Sequence, residues 1–337
     1  MQKIKRKKII RILEAINAGL SEQNLLEQAS NFNFQNNIVW TFNDEISICS
    51  PCCLEIEGSI PGKEFLQFLN KLSKNQLILK EKKNKIYIRC GKTQATLVKE
   101  KLKHNLISIP ENRKFSLLPN LFITAIDFCF FSAAKVADRP ILQYLFIDKN
   151  KVISCDGYRA TKYNLESEIK FPFLLLSSIV PALVKFKPVS YYVDNEWIFF
   201  QNKNMAIFSC RTIKNEYPLE INNLFSLDGI KIDLPKNLQL VIDRVRTFIV
   251  SDFEQDKEID LIFTKNQLIC KGKSNLGQVK EKIEIDYTGE DKQICIHPRF
   301  LFEILAHLNN TIIGDKSLFF QGDKFEHVIS LNEKDSK

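Results

Sequence analysis

The residues with most potential for chemistry are cysteines and carboxylates. Cys49-Ser50-Pro51-Cys52-Cys53 contains a CxxC spacing. A zinc site of that type needs a second pair at matching spacing, and a redox pair belongs at a helix N-terminus in a βαβ setting. Here no second pair exists, and the four histidines (104, 297, 307 and 327) lie far off in sequence. The CxxC also falls between strand-like runs, so it reads as structural thiols. Two acidic groups, Asp256/Glu258/Asp260 and Glu281/Glu284/Asp286, alternate with apolar or basic residues. That is how the wet face of a strand looks, whereas a two-metal nuclease needs carboxylates that converge. Asp256 and Asp260 are the residues a DNA-processing enzyme would use, and that reading stays open as the rival. No Walker loop, G-x-G-x-x-G, G-x-S-x-G or H-E-x-x-H occurs in the chain. The expectation is a protein without catalytic centre, cofactor or metal.

One stretch combines a turn with interface chemistry. Val152-Ile153-Ser154-Cys155 reads as a short apolar strand, and Asp156-Gly157 as a turn. Tyr158, Arg159 and Ala160 follow. As an interface, Cys155, Tyr158 and Ala160 would form apolar wall and Arg159 a polar rim. As plain structure, the same residues are a strand-end turn with a surface arginine.

The elements that must position these residues recur. Apolar residues at helical spacing mark residues 62–72, 171–186 and 297–308. Each is followed by alternating, strand-like runs with Asn, Asp, Lys or Gly at the turns, the pattern of antiparallel hairpins. A second helix type recurs at 4–18, 117–136 and 234–250. The period divides 337 residues into three α+β domains of ordinary size. The expected boundaries lie near Pro110-Glu111 and near residues 222–226, giving domains 1–111, 112–224 and 225–337. No long Pro/Gly/Ser linker separates them. After the third helix of the first type only two strand-like runs stand out, 317–320 and 325–331, so one hairpin is expected to be missing or merged there.

Composition bounds the class. The chain is 45% hydrophobic and 26% charged, as in a globular domain. Its longest apolar run, 171–185, is cut by Pro172 and Pro181 and is too short to span a bilayer. In the N-terminal helix the apolar part, 9–18, is broken by Arg11, Glu14 and Asn17, which makes the helix amphipathic and unlike a signal peptide. The expected compartment is the cytoplasm, where nine cysteines stay reduced. The net charge is +8, and Lys3, Lys5, Arg6, Lys7, Lys8 and Arg11 crowd the first helix. A basic cluster suits a polyanion such as nucleic acid, or is a solvated helix face.

In this context the chain resembles the bacterial-type sliding clamp, the beta subunit of the replicative DNA polymerase. Cys155-Asp156-Gly157-Tyr158-Arg159-Ala160 is similar to the family's Thr-Asp-Gly-His-Arg-Leu, with Cys155 for Thr and Tyr158 for His. Residues 134–142 resemble the segment entering that strand, and 209–218, ending Glu216-Tyr217-Pro218, the close of the second domain. Val241-Ile242-Asp243-Arg244-Val245, Gly277-Gln278-Val279-Lys280-Glu281 and 296–301 resemble third-domain motifs in the right order. The resemblance implies three clamp-type domains per chain, closing head to tail as a homodimeric ring around double-stranded DNA. It implies helices facing the DNA, with Lys3, Lys7, Arg11, Lys63, Lys71, Arg139 and Lys185 as contacts blind to sequence. It implies a peptide pocket for a polymerase and a clamp loader, walled by Leu142, Cys155, Gly157, Tyr158, Arg159, Ala160 and Pro218, with His297 and Phe300 opposite. By position, Leu97 and Phe248 would meet at the dimer interface. The chain stops soon after Leu331, so the pocket is expected to be shallower than in the family. A binding module that keeps the fold without forming a ring is the second rival.

Overall fold

The computed structural model describes the chain except Met1 and residues 22–25, 108–113, 137–138, 195, 227, 252–256 and 333–337. One motif, a strand, a helix and a three-strand meander, recurs along it. The first copy is β1 (Gln2–Lys5), α1 (Arg6–Ile16), β2 (Asn31–Gln35), β3 (Ile38–Phe42) and β4 (Ile46–Pro51). The second is β5 (Gly58–Pro61), α2 (Gly62–Lys71), β6 (Gln76–Lys82), β7 (Lys85–Cys90) and β8 (Thr93–Val98). The middle third runs through β9 (Ser116–Leu117), α3 (Phe122–Phe130), β10 (Tyr144–Cys155) and β11 (Arg159–Leu176), then α4 (Val180–Phe186), β12 (Pro188–Val193), β13 (Trp197–Asn202) and β14 (Ile207–Arg211). Here strands fuse. Strand β10 passes a left-handed residue at Lys149 (φ 46), and the 18-residue β11 ends one copy and opens the next. The last third is β15 (Ile230–Asp233), α5 (Leu238–Arg246), β16 (Ile259–Thr264), β17 (Gln267–Ser274) and β18 (Gly277–Glu284), then β19 (Lys292–Ile296), α6 (Pro298–Leu305), β20 (Asn310–Ile313), β21 (Ser317–Gln321) and β22 (Phe325–Ser330). The class is α+β with antiparallel sheets.

Three expectations are corrected. Residues 171–176 are strand, and the helix expected at 171–186 occupies only Val180–Phe186. The run Phe171-Pro172-Phe173-Leu174-Leu175-Leu176 is apolar throughout, so its period does not separate strand from helix, and Pro181 suits only a first helical turn. The helix expected at 117–136 shortens to Phe122–Phe130. No hairpin is missing after α6, because the four-residue strand β20 supplies the third strand, too short to show a period of its own.

The strands form four sheets, ordered β1-β6-β7-β8, β5-β2-β3-β4-β14-β13-β12-β9, β10-β11-β22-β21-β20-β15 and β18-β17-β16-β19. The opening strand of a copy often joins the meander of its neighbour, as β1 does with β6 and β15 with β20. Closing strands then join meanders in pairs: β4 with β14, and β11 with β22. The closing strands β8 and β18 remain at the ends of four-stranded sheets.

The chain divides into two compact units, Met1–Pro119 with Phe173–Lys214, and Asn120–Pro172 with Asn215–Lys337. In the first, α1 buries Ile9, Ile10, Leu13 and Ile16, spaced as one helical face. Full burial of each such side chain contributes about 1.5–3 kcal/mol. In the second, Val241, Ile242 and Val245 of α5 share a core with Leu301, Ile304 and Leu305 of α6. No helix of the described residues is long and apolar enough to cross a membrane.

Candidate functional site

The Asp156-Gly157 turn in the second unit is built by its own side chains. Asp156 Oδ1 accepts from the backbone N–H of Tyr158 and of Arg159, both at 3.0 Å. Gly157 stands at φ +94, which favours glycine, and its N–H meets Cys155 Sγ at 3.3 Å. The turn thereby presents Tyr158 to solvent, 49% exposed.

Arg159 is buried, 4% exposed, which corrects its expected place at the rim. Its Nε donates to Asp156 Oδ2 at 3.0 Å. Its Nη1 donates to Glu303 and its Nη2 to the Phe131 carbonyl. The guanidinium also lies 4.3 Å from the Phe300 ring centre and 5.2 Å from that of Phe131. A planar fork with five donors suits such a site, and a lysine cannot replace it. Burial acts to raise the Glu303 carboxyl, but the charge and hydrogen bond of Arg159, with Arg299 at 2.9 Å, outweigh it and hold the group below the usual carboxylate range. Arg159 thus fixes the turn to α6.

A cavity of about 260 Å³ opens over this turn, lined by Cys155, Gly157, Tyr158 and Arg159 and by Leu224, Val328 and Ser330, among others. Four of the expected wall residues therefore meet in one recess. Ala160 is fully buried behind it, and the Cys155 thiol is pushed up to about 11 by burial. His297 caps α6, its Nδ1 accepting from Arg299 N at 3.2 Å, and stacks on Phe300 at 4.2 Å. These two support Arg159 and lie outside the cavity lining. Leu142 is half-buried in a 3-10 turn (Pro140–Gln143). Pro218 starts the 3-10 helix Leu219–Phe225, which delivers Asn223 and Leu224 to the cavity, while Tyr217 stacks on Phe146 at 5.2 Å. Val328 and Ser330 were not expected. Strand register brings them here, Ala160 opposite Val328 and Arg159 opposite Ile329, and no local pattern signals that pairing.

A polar chain lies behind the turn. Ser132 Oγ and Thr161 Oγ1 are 2.6 Å apart, and Thr161 Oγ1 is 2.8 Å from His327 Nδ1. His327 is fully buried, and its Nε2 has no partner among the described residues. A proton on Nδ1 leaves only a lone pair at Nε2, which costs less than an unpaired N–H. Burial first, then Arg159 and His307, push this imidazole well below its usual value.

The basic candidates Lys3, Lys7, Arg11, Lys63, Lys71, Arg139 and Lys185 are all exposed. Lys3 lies in β1, Lys7 and Arg11 in α1, Lys63 and Lys71 in α2, Lys185 in α4, and Arg139 before the 3-10 turn. Leu97 is half-buried in the end strand β8, and Phe248, 42% exposed, follows α5. Cys49 and Cys52 are buried, and the Cys52 thiol is raised to about 11 by burial. Asp256 lies outside the described residues. Asp260 sits in β16 opposite Lys271, and Glu258 takes a contact from Cys295 Sγ at 3.1 Å. Among the described residues no group of three His, Cys, Asp or Glu could hold a metal ion.

Residues 230–317 match the family described as DNA polymerase III beta subunit, C-terminal domain. Solved structures extend the likeness to the whole chain. A DNA polymerase III beta chain from Streptococcus pneumoniae is 20% identical, with a TM-score of 0.85 over 98% of this chain and 99% of that one. A sliding clamp from Bacillus subtilis is 16% identical, with a TM-score of 0.84 over 98% of each. The beta subunit from Pseudomonas aeruginosa is 14% identical, with a TM-score of 0.85 over 98% and 99%. This chain has the sliding-clamp fold. No curated protein sequence matches it significantly. The repeated clamp motif accounts for the paired helices in each third and for the meander that sequence patterns understated.

Proposed function

We propose that this chain is a non-catalytic sliding clamp that encircles duplex DNA and tethers a replicative DNA polymerase. The observation that carries the reading is the way closing strands pair. Antiparallel joints between closing strands extend two of the sheets across motif copies, and β8 and β18 are the two closing strands left at sheet ends. An exposed sheet edge is a template for another chain. Pairing β8 of one copy with β18 of a second, twice over, satisfies both edges and closes a homodimer. Leu97 and Phe248 belong beside that seam. In this reading the three domains are 1–111, 112–224 and 225–337. A closed ring holds DNA by topology, so the exposed lysines and arginines need only contact phosphates without reading bases. The cavity over Tyr158 takes a short peptide with an apolar or aromatic residue, from the polymerase or from a clamp loader. The expected compartment is the cytoplasm.

Sedimentation equilibrium tests the reading: the particle should have twice the chain mass of 39.1 kDa. Complexes assembled on a nicked circular plasmid should survive high salt and fall off when the circle is cut. A monomer at micromolar concentration, or equal retention on linear and circular DNA, overturns it.

A further inference from the structure

A second recess lies wholly in the first unit, along α1 from Lys5 to Ala15. Its volume is about 710 Å³, and Lys5, Lys7, Lys8 and Arg11 line it with no acidic residue among the lining. None of these four has an ion pair among the described residues. The cations of α5 behave otherwise: Arg244 holds Glu281 at 2.7 Å, and Arg246 pairs with Asp243. The helix also breaks a local rule, since no acid stands in its first turn and lysines occupy the end where the helix dipole is already positive. Local rules are broken where function requires it.

The rest of the lining is chemically one-sided. Asn75 Oδ1 is taken by Lys7 N–H at 3.0 Å, and Asn202 Oδ1 by the N–H of Asn204 and Ala206 at 2.9 and 3.1 Å. Asn202 Oδ1 is fully occupied and Asn75 Oδ1 already takes one N–H, while their Nδ2 donors have no protein partner among the described residues. Ile12, Pro51 and Ala206 add apolar wall. A site of cations, amide donors and apolar surface fits a ligand of acceptors with a flat face. A duplex offers phosphates on a convex rod and suits an open ridge. A flexible single strand can enter a recess, its phosphates on the lysines and a base on the apolar wall.

We propose that this recess binds single-stranded nucleic acid, as a site that shares Lys7 and Arg11 with the duplex contacts and extends beyond them to Lys5 and Lys8. The proposal rests on the nucleic-acid reading above, but Lys5 and Lys8 belong to the recess alone. The test titrates the full chain with a fluorescent 12-nucleotide oligothymidine, a hairpin duplex and dTTP, across a salt series. A Lys5→Glu, Lys8→Glu variant should weaken the oligothymidine roughly tenfold and flatten its log–log salt slope by about 1.4, the share of two phosphates, with duplex binding unchanged. Lys5→Arg, Lys8→Arg should bind as the wild type does. Cys53 lines the recess and is the one cysteine that is not buried. Bound oligothymidine should therefore slow its alkylation by iodoacetamide, and duplex should not. Equal weakening for strand and duplex, no weakening for the strand, unprotected Cys53, or binding of dTTP without the strand would each overturn the proposal. Absence of duplex binding by the wild type would instead overturn the clamp reading.

Discussion

Arg159 illustrates how a residue can sit in a binding motif and yet be the wrong residue to mutate. Its side chain is 2% exposed and is shared between Asp156 and Glu303. Removing it leaves Asp156 without its cation and Glu303 with Arg299 alone, which costs on the order of 3 kcal/mol. Arg159→Ala should therefore lower the denaturation midpoint, and any drop in peptide binding would follow from a damaged fold. Tyr158→Ala removes an exposed ring from the same turn. It should leave the midpoint nearly unchanged and weaken a polymerase-tail peptide by about 1–3 kcal/mol in calorimetry. Unchanged peptide affinity would move the partner site elsewhere. His327 makes a pH prediction at the same scale. It is neutral when folded and titrates near 6.5 when unfolded, so below that pH the unfolded state binds the extra proton. Its contribution is full above pH 6.5 and falls by up to about 1.4 kcal/mol per unit as the pH drops toward its lower folded value. Urea denaturation at pH 7.5, 6.5 and 5.5 should show this slope, and His327→Gln, whose amide keeps a donor for Thr161, should flatten it.

At the scale of elements, the end strands carry the prediction. Strand β8 exposes Val98 (59%) next to half-buried Leu97, and near β18 Phe248 and Leu276 are 42% and 66% exposed. Apolar side chains at a sheet edge invite pairing unless a partner covers them. Leu97→Lys, or Phe248→Asp, should convert the dimer to a folded monomer with the same circular dichroism spectrum, read by light scattering. A variant that remains a dimer at nanomolar concentration would place the interface on another edge. The helices follow a simpler rule, since α1 and α5 each bury one apolar stripe and leave charge outside.

At the scale of the whole molecule, charge decides. A net +8 spread over exposed lysines and arginines should bind any duplex alike, with affinity falling steeply as salt rises. Neutralising Lys3, Lys63, Lys71, Arg139 and Lys185 together should weaken every duplex sequence equally. The salt slope should shrink by about 0.9 for each phosphate that the protein no longer neutralises. Preference for one sequence would contradict a ring that reads only the backbone.

The sequence by itself determined the α+β class, the recurrence of helices followed by antiparallel strands, the turn at Asp156-Gly157 and the basic first helix. These depend on neighbours within a few positions: alternation, helical spacing and the left-handed freedom of Gly157. Tertiary structure decided the rest. Whether 171–176 is helix or strand depends on the sheet it joins, because an apolar run carries no period. Arg159 is internal because Glu303, 144 residues away, and the rings of Phe131 and Phe300 enclose it. The cavity takes Val328 and Ser330 through the register of β11 against β22, and Leu224 through a 3-10 helix. The recess at α1 arises only when the turn at Asn202–Asn204 comes to lie beside lysines about two hundred residues earlier in the chain. Side-chain type and short spacing are local properties of a chain, but the partners of a buried charge and the walls of a cavity are set by long-range strand pairing.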